Sequence, residues 1–368
     1  MKRFNYKSIF IYSSLQFSGH VEEFFSENTE KLIVFVVMPR LKNKYNLLRV
    51  YSKGKLRKEK RIKSSSNIFL YYFLWWWHQN YFILKYFSKK DNFIIFGCHP
   101  VCFFGMSLIK FIKKCRYAYW VGDYFPGNSN IISLFERLKR YYHDKMNYAF
   151  YLSDNINKVF NKGEIVDNHN KKTVMWGIKP KKIVKKLSNK QFHMLFIGLI
   201  KDSQGLEFIF SFLRGHKNYK ISIIGLCDDT LYLKYKNMIK VFKIENQVYF
   251  PNKFLSNDDL AKFSLNCDIG IALYNIDKSN PTYYTDPGKV KAYAELNLPV
   301  IMSSTSAISP FIKRFKAGEV ISKKEESLQN ALIKIKKNHQ LYKRGLKKFN
   351  DYFYYKKYYN EKFNCFKI

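Results

Sequence analysis

Short apolar runs alternate with segments of helical period along almost the whole chain. This order is typical of parallel sheets whose strands are joined by crossover helices. At 368 residues the chain is longer than one hydrophobic core usually serves. The sequence therefore predicts an α/β protein with two Rossmann-like domains facing across a cleft. We expect these domains at 1–180 and 181–349, followed by a C-terminal helix in 350–368 that returns toward the first domain.

Strand and helix patterns can be placed along both halves. In the first half, strands are expected at 7–14, 32–38, 93–98, 117–122 and 148–152, and helices at 66–88, 102–114 and 131–146. In the second half, strands are expected at 193–198, 220–225, 247–250, 268–273 and 299–303, and helices at 205–214, 229–240, 257–265 and 287–296, before two closing helices. The basic, serine-rich stretch 52–66 is expected to be an exposed loop, and 177–190 the interdomain linker.

The charge of the chain favours polyanionic partners. There are 65 Lys and Arg against 28 Asp and Glu, a formal net charge of +37, which suits nucleic acid, an anionic membrane surface or phosphorylated substrates. The lysines are spread from end to end without a nucleic-acid-binding motif, so nucleic acid is not the expected partner. Six scattered cysteines without a CxxC pair argue against disulfides and a zinc knuckle and indicate a reducing compartment.

The most apolar segment is 67–77, which is followed by a polar triplet at 78–80. A membrane span needs about 20 predominantly apolar residues, and this segment is interrupted after about half that length. Three interpretations remain: a buried or partly exposed helix, a helix lying on a membrane surface, or a true span. No signal-peptide pattern precedes it. We expect a cytoplasmic protein, with peripheral attachment to the inner face of the cell membrane through the basic stretch 52–63, this segment and the basic helix around Phe135 to Lys145.

The segment 285–301, TDPGKVKAYAELNLPVI, predicts a helix start that can bind an anion. Asp286 is a strong N-cap type, Pro287 suits the first helical position, and Gly288 and Lys289 follow in the first turn. The free amides and positive dipole end of such a helix attract phosphate, and Lys289 would add a cation. The alternative is a well-capped crossover helix without a ligand. Lys291 is expected to point elsewhere and to contribute little to nucleotide affinity.

A second candidate is the turn in 196–206, FIGLIKDSQGL, after a predicted strand. Gly198 and Gly205 would let the backbone approach a phosphate, and Lys201 offers a nearby cation. Without GxGxxG spacing this motif is weak by itself.

In order and spacing these segments resemble the C-terminal half of GT-B glycosyltransferases, above all the retaining family 4 and its relatives, the group 1 glycosyltransferases. FIGLIKDSQGL takes the place of the family's glycine turn, NCDIGIALY that of the strand before the active-site loop, and DPGKVKAYAELNLPVI that of the nucleotide-binding helix. The resemblance implies that these glycines, Lys201 and the DPGK residues bind a nucleotide-diphosphate sugar.

Several positions depart from the family's pattern. Leu199 stands where the family has Arg, and Gln204 where it has Lys. Ala292 occupies the position of the ribose-binding Glu, and the other Glu of that paired motif would fall on Tyr284. Glu295, one turn beyond Ala292, is the remaining carboxylate candidate for donor binding.

The N-terminal half carries two candidate catalytic residues. His99, in a His-Pro turn after a strand, resembles a histidine that lies near the transferred sugar in family members, and Asp123 lies in a similar Asp-x-x-Pro turn. The alternatives are a hydrogen-bonded strand-end residue for His99 and a turn former for Asp123.

The resemblance implies a metal-independent, retaining glycosyltransferase that needs no cofactor beyond its nucleotide-sugar substrate. Its acceptor would be a cell-envelope glycan or a lipid-linked sugar. The neighbouring carboxylates Asp228 and Asp229 are read as a solvated turn, so no metal site is expected. A non-catalytic sugar-nucleotide-binding relative remains an alternative, and a nucleic-acid-binding protein a weaker one.

Overall fold

The computed structural model describes residues 8–13, 19–38, 45–127, 130–181, 191–275, 277–304 and 307–367. The chain divides into two compact units, residues 1–177 with 355–368 and residues 178–354. Each unit is built on one sheet whose successive parallel strands are joined by helices, so both are Rossmann-like domains, as the sequence predicts. Residues 182–190, most of the predicted linker, lie outside the described residues.

The first unit contains an eight-stranded sheet in the order β4-β3-β2-β1-β5-β6-β7-β8. Its strands are β1 Ser8–Ser13, β2 Lys31–Val36, β3 Tyr45–Ser52, β4 Lys55–Lys63, β5 Phe93–Gly97, β6 Cys115–Val121, β7 Tyr148–Tyr151 and β8 Lys171–Thr173. Its helices are α1 Val21–Asn28, α2 Ile68–Tyr86, α3 Met106–Ile112, α4 Asn130–His143, α5 Asp154–Phe160 and, from the end of the chain, α13 Tyr355–Lys362.

The basic stretch 52–66 forms most of a β-hairpin, so the predicted exposed loop is wrong. β3 and β4 pair antiparallel around a two-residue turn in which Lys53 and Gly54 have φ angles of 49° and 80°. Two positive φ angles are typical of the type I′ turn, a common hairpin connection. Every side chain of β4 except that of Ile62 is exposed. The strand is stabilised by pairing with β3 while its charges remain in water, which is why its composition resembles that of a loop.

The second unit contains a six-stranded parallel sheet in the order β11-β10-β9-β12-β13-β14. Its strands are β9 Phe192–Ile197, β10 Tyr219–Ile224, β11 Val248–Tyr249, β12 Ile269–Ala272, β13 Val300–Ser303 and β14 Gly318–Ile321. Its helices are α6 Leu206–Gly215, α7 Asp229–Val241, α8 Asn257–Ser264, α9 Gly288–Glu295, α10 Ser309–Phe315, α11 Glu325–Lys337 and α12 His339–Phe353. The strands and helices predicted with bounds are present close to those bounds. Among the described residues β14 is an addition to the sheet, and three helices, α10, α11 and α12, follow β13 where two closing helices are expected.

The helix predicted in 350–368 is α13, which packs within the first unit. The backbone leaves the helical conformation at Tyr354, between α12 and α13. The Tyr359 hydroxyl donates to the carbonyl oxygen of Gly19 at 2.7 Å. Phe363 is fully buried, with its ring centroid 5.1 Å from that of Phe25 and 5.8 Å from that of Phe96. The last residues of the chain therefore belong to the core of the first unit.

Candidate functional site

The strand order of the second unit reverses between β9 and β12. From β9 the chain continues through α6 to β10 on one side, whereas β12 continues through α9 to β13 on the other. Ligands of open parallel sheets bind at the carboxyl ends of the strands that flank such a reversal. Both predicted donor-binding segments, the turn after β9 and the start of α9, follow these two strands.

The turn after β9 depends on its glycines. Gly198 and Gly205 have φ angles of 108° and 74°, which residues with a Cβ rarely adopt. A Cβ on Gly205 would also lie 2.8 Å from Cβ of Leu273, just after β12. Gly205 occupies the cap position of α6 and offers no side-chain hydrogen bond to its first amides. The turn thus brings an uncapped helix N-terminus close to β12.

Lys289 lies beside this turn. Its Nζ donates to Oε1 of Gln204 at 3.1 Å and lies 3.8 Å from the ring centroid of Phe196 in β9. Its Cε would be 3.9 Å from a Cβ placed on Gly198. Gln204, which replaces the family's Lys, is therefore the neutral partner of Lys289. The structure brings Lys289, Gly198 and the turn that carries Lys201 together, as the sequence predicts for a donor site.

The surroundings of Lys289 make its charge costly. Burial and, to a smaller extent, the neighbouring charge of Lys201 together lower the pKa of Lys289 to about 7. Among the described residues no carboxylate pairs with Lys289. A bound anion would supply the missing negative charge, so this cluster has the electrostatic character of an anion site.

Asp286 does not cap α9, which corrects the sequence prediction. The helix begins at Gly288, and the cap residue is Pro287, whose side chain makes no capping hydrogen bond. Asp286 and Lys291 are instead fully buried, with Oδ2 and Nζ 3.7 Å apart. Lys291 Nζ also lies 3.1 Å from the ring centroid of Phe353. Lys291 therefore points away from Lys289, as the sequence predicts, and its cation neutralises a buried carboxylate; that it contributes little to nucleotide affinity stays a prediction.

Glu295 does not join Lys289. The two residues lie at opposite ends of α9, and Glu295 Oε1 accepts a hydrogen bond from the backbone N–H of Lys179 at 2.7 Å. The carbonyl oxygen of Glu295 accepts another from Lys181 at 2.8 Å. In this structure Glu295 holds the chain that enters the second unit. Its role in donor binding stays a prediction without support from these contacts.

A cavity of about 340 Å³ in the first unit brings His99 and Asp123 together. His99 follows β5 and Asp123 follows the neighbouring parallel strand β6, so both lie at the carboxyl edge of the sheet. The His99 ring packs 4.9 Å from Trp75 and 5.4 Å from Phe135, measured between centroids. Asp123 lines the same cavity and is itself exposed.

His99 is neutral in these surroundings. Burial lowers its pKa to about 3, and the charge of Lys139 acts in the same direction. Nδ1 accepts a hydrogen bond from the Val101 N–H at 3.3 Å, which leaves the proton on Nε2. His99 can therefore donate a hydrogen bond near neutral pH but cannot deliver a proton as an imidazolium. The hydrogen bond with Val101 agrees with the alternative considered from the sequence, a hydrogen-bonded residue at a strand end. The position of His99 in the cavity gives it a second candidate role, in ligand binding.

Three residues of this cavity were not singled out from the sequence. Lys139 Nζ donates to the carbonyl oxygen of Asp123 at 2.9 Å and to Oε1 of Glu136 at 2.6 Å. Tyr119, from β6, lines the same cavity. The spacing of Glu136 and Lys139, three residues apart on a helix, is the signal that could have found this pair. Phe135 and Lys139 of α4 line the cavity, whereas Leu134 and Tyr141 are exposed, and the membrane role expected of this helix stays a prediction.

Two further expectations concern metals and membranes. No cluster of three or more His, Cys, Asp or Glu side chains that could hold a metal ion occurs among the described residues. Asp228 caps α7 by accepting a hydrogen bond from the Leu231 N–H at 2.9 Å, in line with the turn reading. Within the described ranges, no helix combines the length and the apolar composition needed to cross a membrane.

Comparison with known proteins finds similar structures but no similar sequences. No family model and no curated protein matches the chain. The structure is similar to a sucrose-phosphate synthase from Thermosynechococcus elongatus, with a TM-score of 0.72, 9% identity and 97% of each chain covered. It is also similar to the lipopolysaccharide outer core galactosyltransferase WaaB, with a TM-score of 0.64 and 15% identity over 97% of this chain and 98% of that one. HepE of Anabaena in complex with UDP-glucose matches with a TM-score of 0.62 and 10% identity over 94% and 93%.

The fold of the chain follows from these comparisons. The chain has the GT-B fold, which is the fold that the resemblance of its C-terminal half predicts. At this level of sequence identity, the structural similarity shows the fold alone.

Proposed function

We propose that this protein is a glycosyltransferase that moves a sugar from a nucleotide-diphosphate donor to a cell-envelope glycan or a lipid-linked acceptor. The observation that supports this most is the position of Lys289 beside the glycine turn, with a neutral partner and a second lysine nearby. Two cations and the N-termini of α6 and α9, at the reversal of strand order, suit a diphosphate. HepE, which shares the fold, holds UDP-glucose in one structure.

The proposed reaction places charge where these groups lie. The bond between the anomeric carbon and the diphosphate oxygen breaks while the acceptor hydroxyl oxygen bonds to that carbon. The hydroxyl proton is taken up by the released diphosphate, so atoms and charge balance. Negative charge grows on the diphosphate during the step, and fixed amides and cations lower the barrier by stabilising it. We propose that Lys289 and Lys201 supply the positive charge in a retaining reaction without a metal ion.

In the first unit we assign His99 and Asp123 to sugar binding. Nε2 of the neutral His99 is a hydrogen-bond donor, and the Asp123 carboxylate is an acceptor, which together match the hydroxyl groups of a sugar. The low pKa of His99 makes it a positioning group and not the acid of the reaction.

A membrane-bound acceptor is supported by an exposed aromatic face on α2. Phe69, Phe73 and Trp77 follow one another at intervals of four residues, and Phe69 is 83% exposed. The opposite side of α2 is buried, for example at Trp75 and Phe82. An amphipathic surface helix has one apolar side, which faces the core, whereas α2 presents a second apolar side to solvent. We define the aromatic face as Phe69, Leu70, Phe73, Trp77, Tyr81 and Leu84.

A strongly basic strand precedes α2 in the chain and suits an anionic membrane. β4 ends only a few residues before α2 and exposes six cations, Lys55, Arg57, Lys58, Lys60, Arg61 and Lys63. The single acid of the strand, Glu59, pairs with Arg49 at 2.7 Å. Basic residues near an anionic membrane surface contribute about 1 kcal/mol each, and interfacial aromatic side chains add apolar burial. We therefore propose peripheral attachment through β4 and the aromatic face.

The donor site can be tested by nucleotide binding. Lys289→Ala should weaken binding of the preferred nucleotide diphosphate, chosen from UDP, GDP and ADP by thermal shift, by roughly ten-fold or more, because a charge-assisted phosphate contact is worth about 1.5–3 kcal/mol. Lys336→Ala, which removes an exposed lysine of α11, is the matched control and should bind like the wild type. Equal affinities of wild type and Lys289→Ala in calorimetry would refute the site.

Turnover separates the enzyme from its non-catalytic alternative. Ala292 in place of the ribose-binding Glu of the related family favours that alternative. Wild-type protein should transfer or slowly hydrolyse the sugar of the donor whose nucleotide it binds. Tight nucleotide binding without either activity, tested over a panel of nucleotide sugars, would support the non-catalytic alternative.

A further inference from the structure

The cavity of the first unit contains two buried polar groups that the described part of the chain leaves unsatisfied. These are the hydroxyl of Tyr119, on a fully buried side chain, and Oε2 of Glu136. Both residues line the cavity. Unsatisfied buried polar groups are rare in folded proteins because each forgoes its hydrogen bonds to water. Two of them on one cavity indicate a ligand that supplies the missing partners.

Glu136 is held in a defined orientation. Its Oε1 accepts hydrogen bonds from Lys139 Nζ at 2.6 Å and from the Phe125 N–H at 3.3 Å. These contacts use one carboxylate oxygen and leave Oε2 as an acceptor. The charge of Glu136 also raises the pKa of Tyr119, after the larger effect of burial, so the Tyr119 hydroxyl keeps its proton and remains a donor and an acceptor.

We propose that this cavity binds a neutral sugar ring, with ring hydroxyls bonded to Glu136 and Tyr119. This proposal rests on the proposed sugar transfer, because that reaction supplies the sugar. The bound ring belongs either to the acceptor or to the donor. The aromatic rings of Tyr72, Phe125 and Phe135 supply apolar walls, and a cavity of about 340 Å³ is of the size that small ligands occupy.

The charge of the cavity argues against a phosphate ligand. The chain as a whole has a net charge of +37, yet this cavity is lined by two carboxylates, those of Glu136 and Asp123, and one cation, Lys139. Lys139 is already bonded to Glu136 and to the Asp123 carbonyl oxygen. A neutral ligand rich in hydroxyl donors satisfies the free carboxylate oxygen, whereas an anion would be repelled by it.

Saturation-transfer NMR on the full chain tests the proposal. The probes are the methyl glycosides of glucose, galactose and N-acetylglucosamine, with inorganic phosphate and glucose 6-phosphate as anionic probes. At least one neutral glycoside should bind the wild type, and Glu136→Gln should weaken it about ten-fold, since bonds to charged groups are the stronger ones. Glu164→Gln, at an exposed acid outside the cavity, should bind like the wild type.

Tyr119→Phe provides a second readout that a purely structural role would not give. The hydroxyl has no partner in the described part of the free protein, so its removal should leave the Tm unchanged or raised while glycoside affinity falls several-fold. Equal glycoside binding by wild type and both variants, or stronger binding of the phosphate probes, would overturn the proposal.

Nucleotide-sugar affinity then identifies the origin of the ring. If Glu136→Gln weakens binding of the nucleotide sugar but not of the nucleotide diphosphate, the ring belongs to the donor; if it changes neither, the ring belongs to the acceptor. Both outcomes support a sugar site. If the wild type bound a glycoside but showed no turnover, the sugar site would be supported and the proposed enzymatic activity would be refuted.

Discussion

Lys289 and Lys291 are two residues apart on α9 and have opposite surroundings. Lys289 faces a neutral amide and an aromatic ring beside the glycine turn. Lys291 is fully buried against Asp286 and Phe353. Because a helix turns about 100° per residue, positions two apart face nearly opposite ways. The first lysine can therefore serve a ligand, and the second holds the start of the helix to α12.

Lys291→Ala should destabilise the second unit by about 3–5 kcal/mol, because it leaves the Asp286 carboxylate buried without its cation. The free energy of unfolding, measured with urea, should fall accordingly. The double variant Asp286→Leu/Lys291→Met, which removes both charges and keeps apolar volume, should recover most of the loss. Lys289→Ala is the matched comparison and should cost far less. A Lys291→Ala protein as stable as the wild type would contradict the buried ion pair.

Nucleotide affinity should depend on pH through Lys289. Its pKa in the free protein is about 7, and a bound diphosphate favours the charged form, so the pKa rises on binding. Affinity should fall as the pH rises above about 7, by up to about ten-fold per unit. Calorimetry across this range should show the slope in the wild type. A slope of the same size in Lys289→Ala would assign it to another group.

The donor cluster was predictable because its signals are local. Pro287 to Lys289, and Gly198 to Gly205, each lie in one short segment whose backbone geometry follows from proline and glycine. The burial of Lys291 could not be predicted from the sequence, since it depends on Phe353, which lies some sixty residues later in the chain. Tyr119 was not predictable for another reason: it lies among the five consecutive buried residues 117–121 of β6, a pattern that indicates a core residue.

At the scale of elements, α2 differs from an ordinary surface helix because both of its sides are apolar. Sequence alone left three interpretations of this segment, since composition does not show which side is covered. The structure shows one side buried and the aromatic face exposed. That arrangement is the partly exposed helix of the first interpretation, and its attachment to a membrane surface stays a proposal.

The double variant Phe73→Ser/Trp77→Ser should weaken binding to vesicles that contain anionic phospholipid. It removes two large exposed side chains from the aromatic face, each of which would bury apolar area in the interface. Cosedimentation should show at least a ten-fold loss in partitioning. Leu233→Ser/Val241→Ser, at exposed apolar positions of α7, should bind like the wild type. Equal partitioning of wild type and the α2 variant would exclude this face.

The elements that the sequence predicted well are those buried on both sides. β9, β10 and β12 are short apolar runs between helices, and such runs are typical of parallel strands. β4 was missed because an exposed edge strand carries the composition of a loop. The sequence feature that indicates this strand is the Lys-Gly turn at 53–54. Apolar periodicity does not reveal it, because the strand after the turn is almost entirely polar.

For the whole molecule, the net charge of +37 predicts attachment that depends on ionic strength. Cell fractionation should place part of the protein with membranes, and high salt should release it, because screening weakens contacts between exposed cations and anionic lipids. Release in detergent but not in salt would instead indicate that α2 is inserted among the lipid chains.

The return of residues 355–367 to the first unit also determines the order in which the chain can fold. Residues 178–354 form one continuous stretch, so the second unit is complete as soon as that stretch has left the ribosome. The first unit begins earlier in the sequence but lacks Tyr359 and Phe363 until residues 355–367 have been synthesised. During synthesis the first unit therefore completes its core only after the second unit has been made. Until then, part of the aromatic core of the first unit is accessible to solvent and to chaperones.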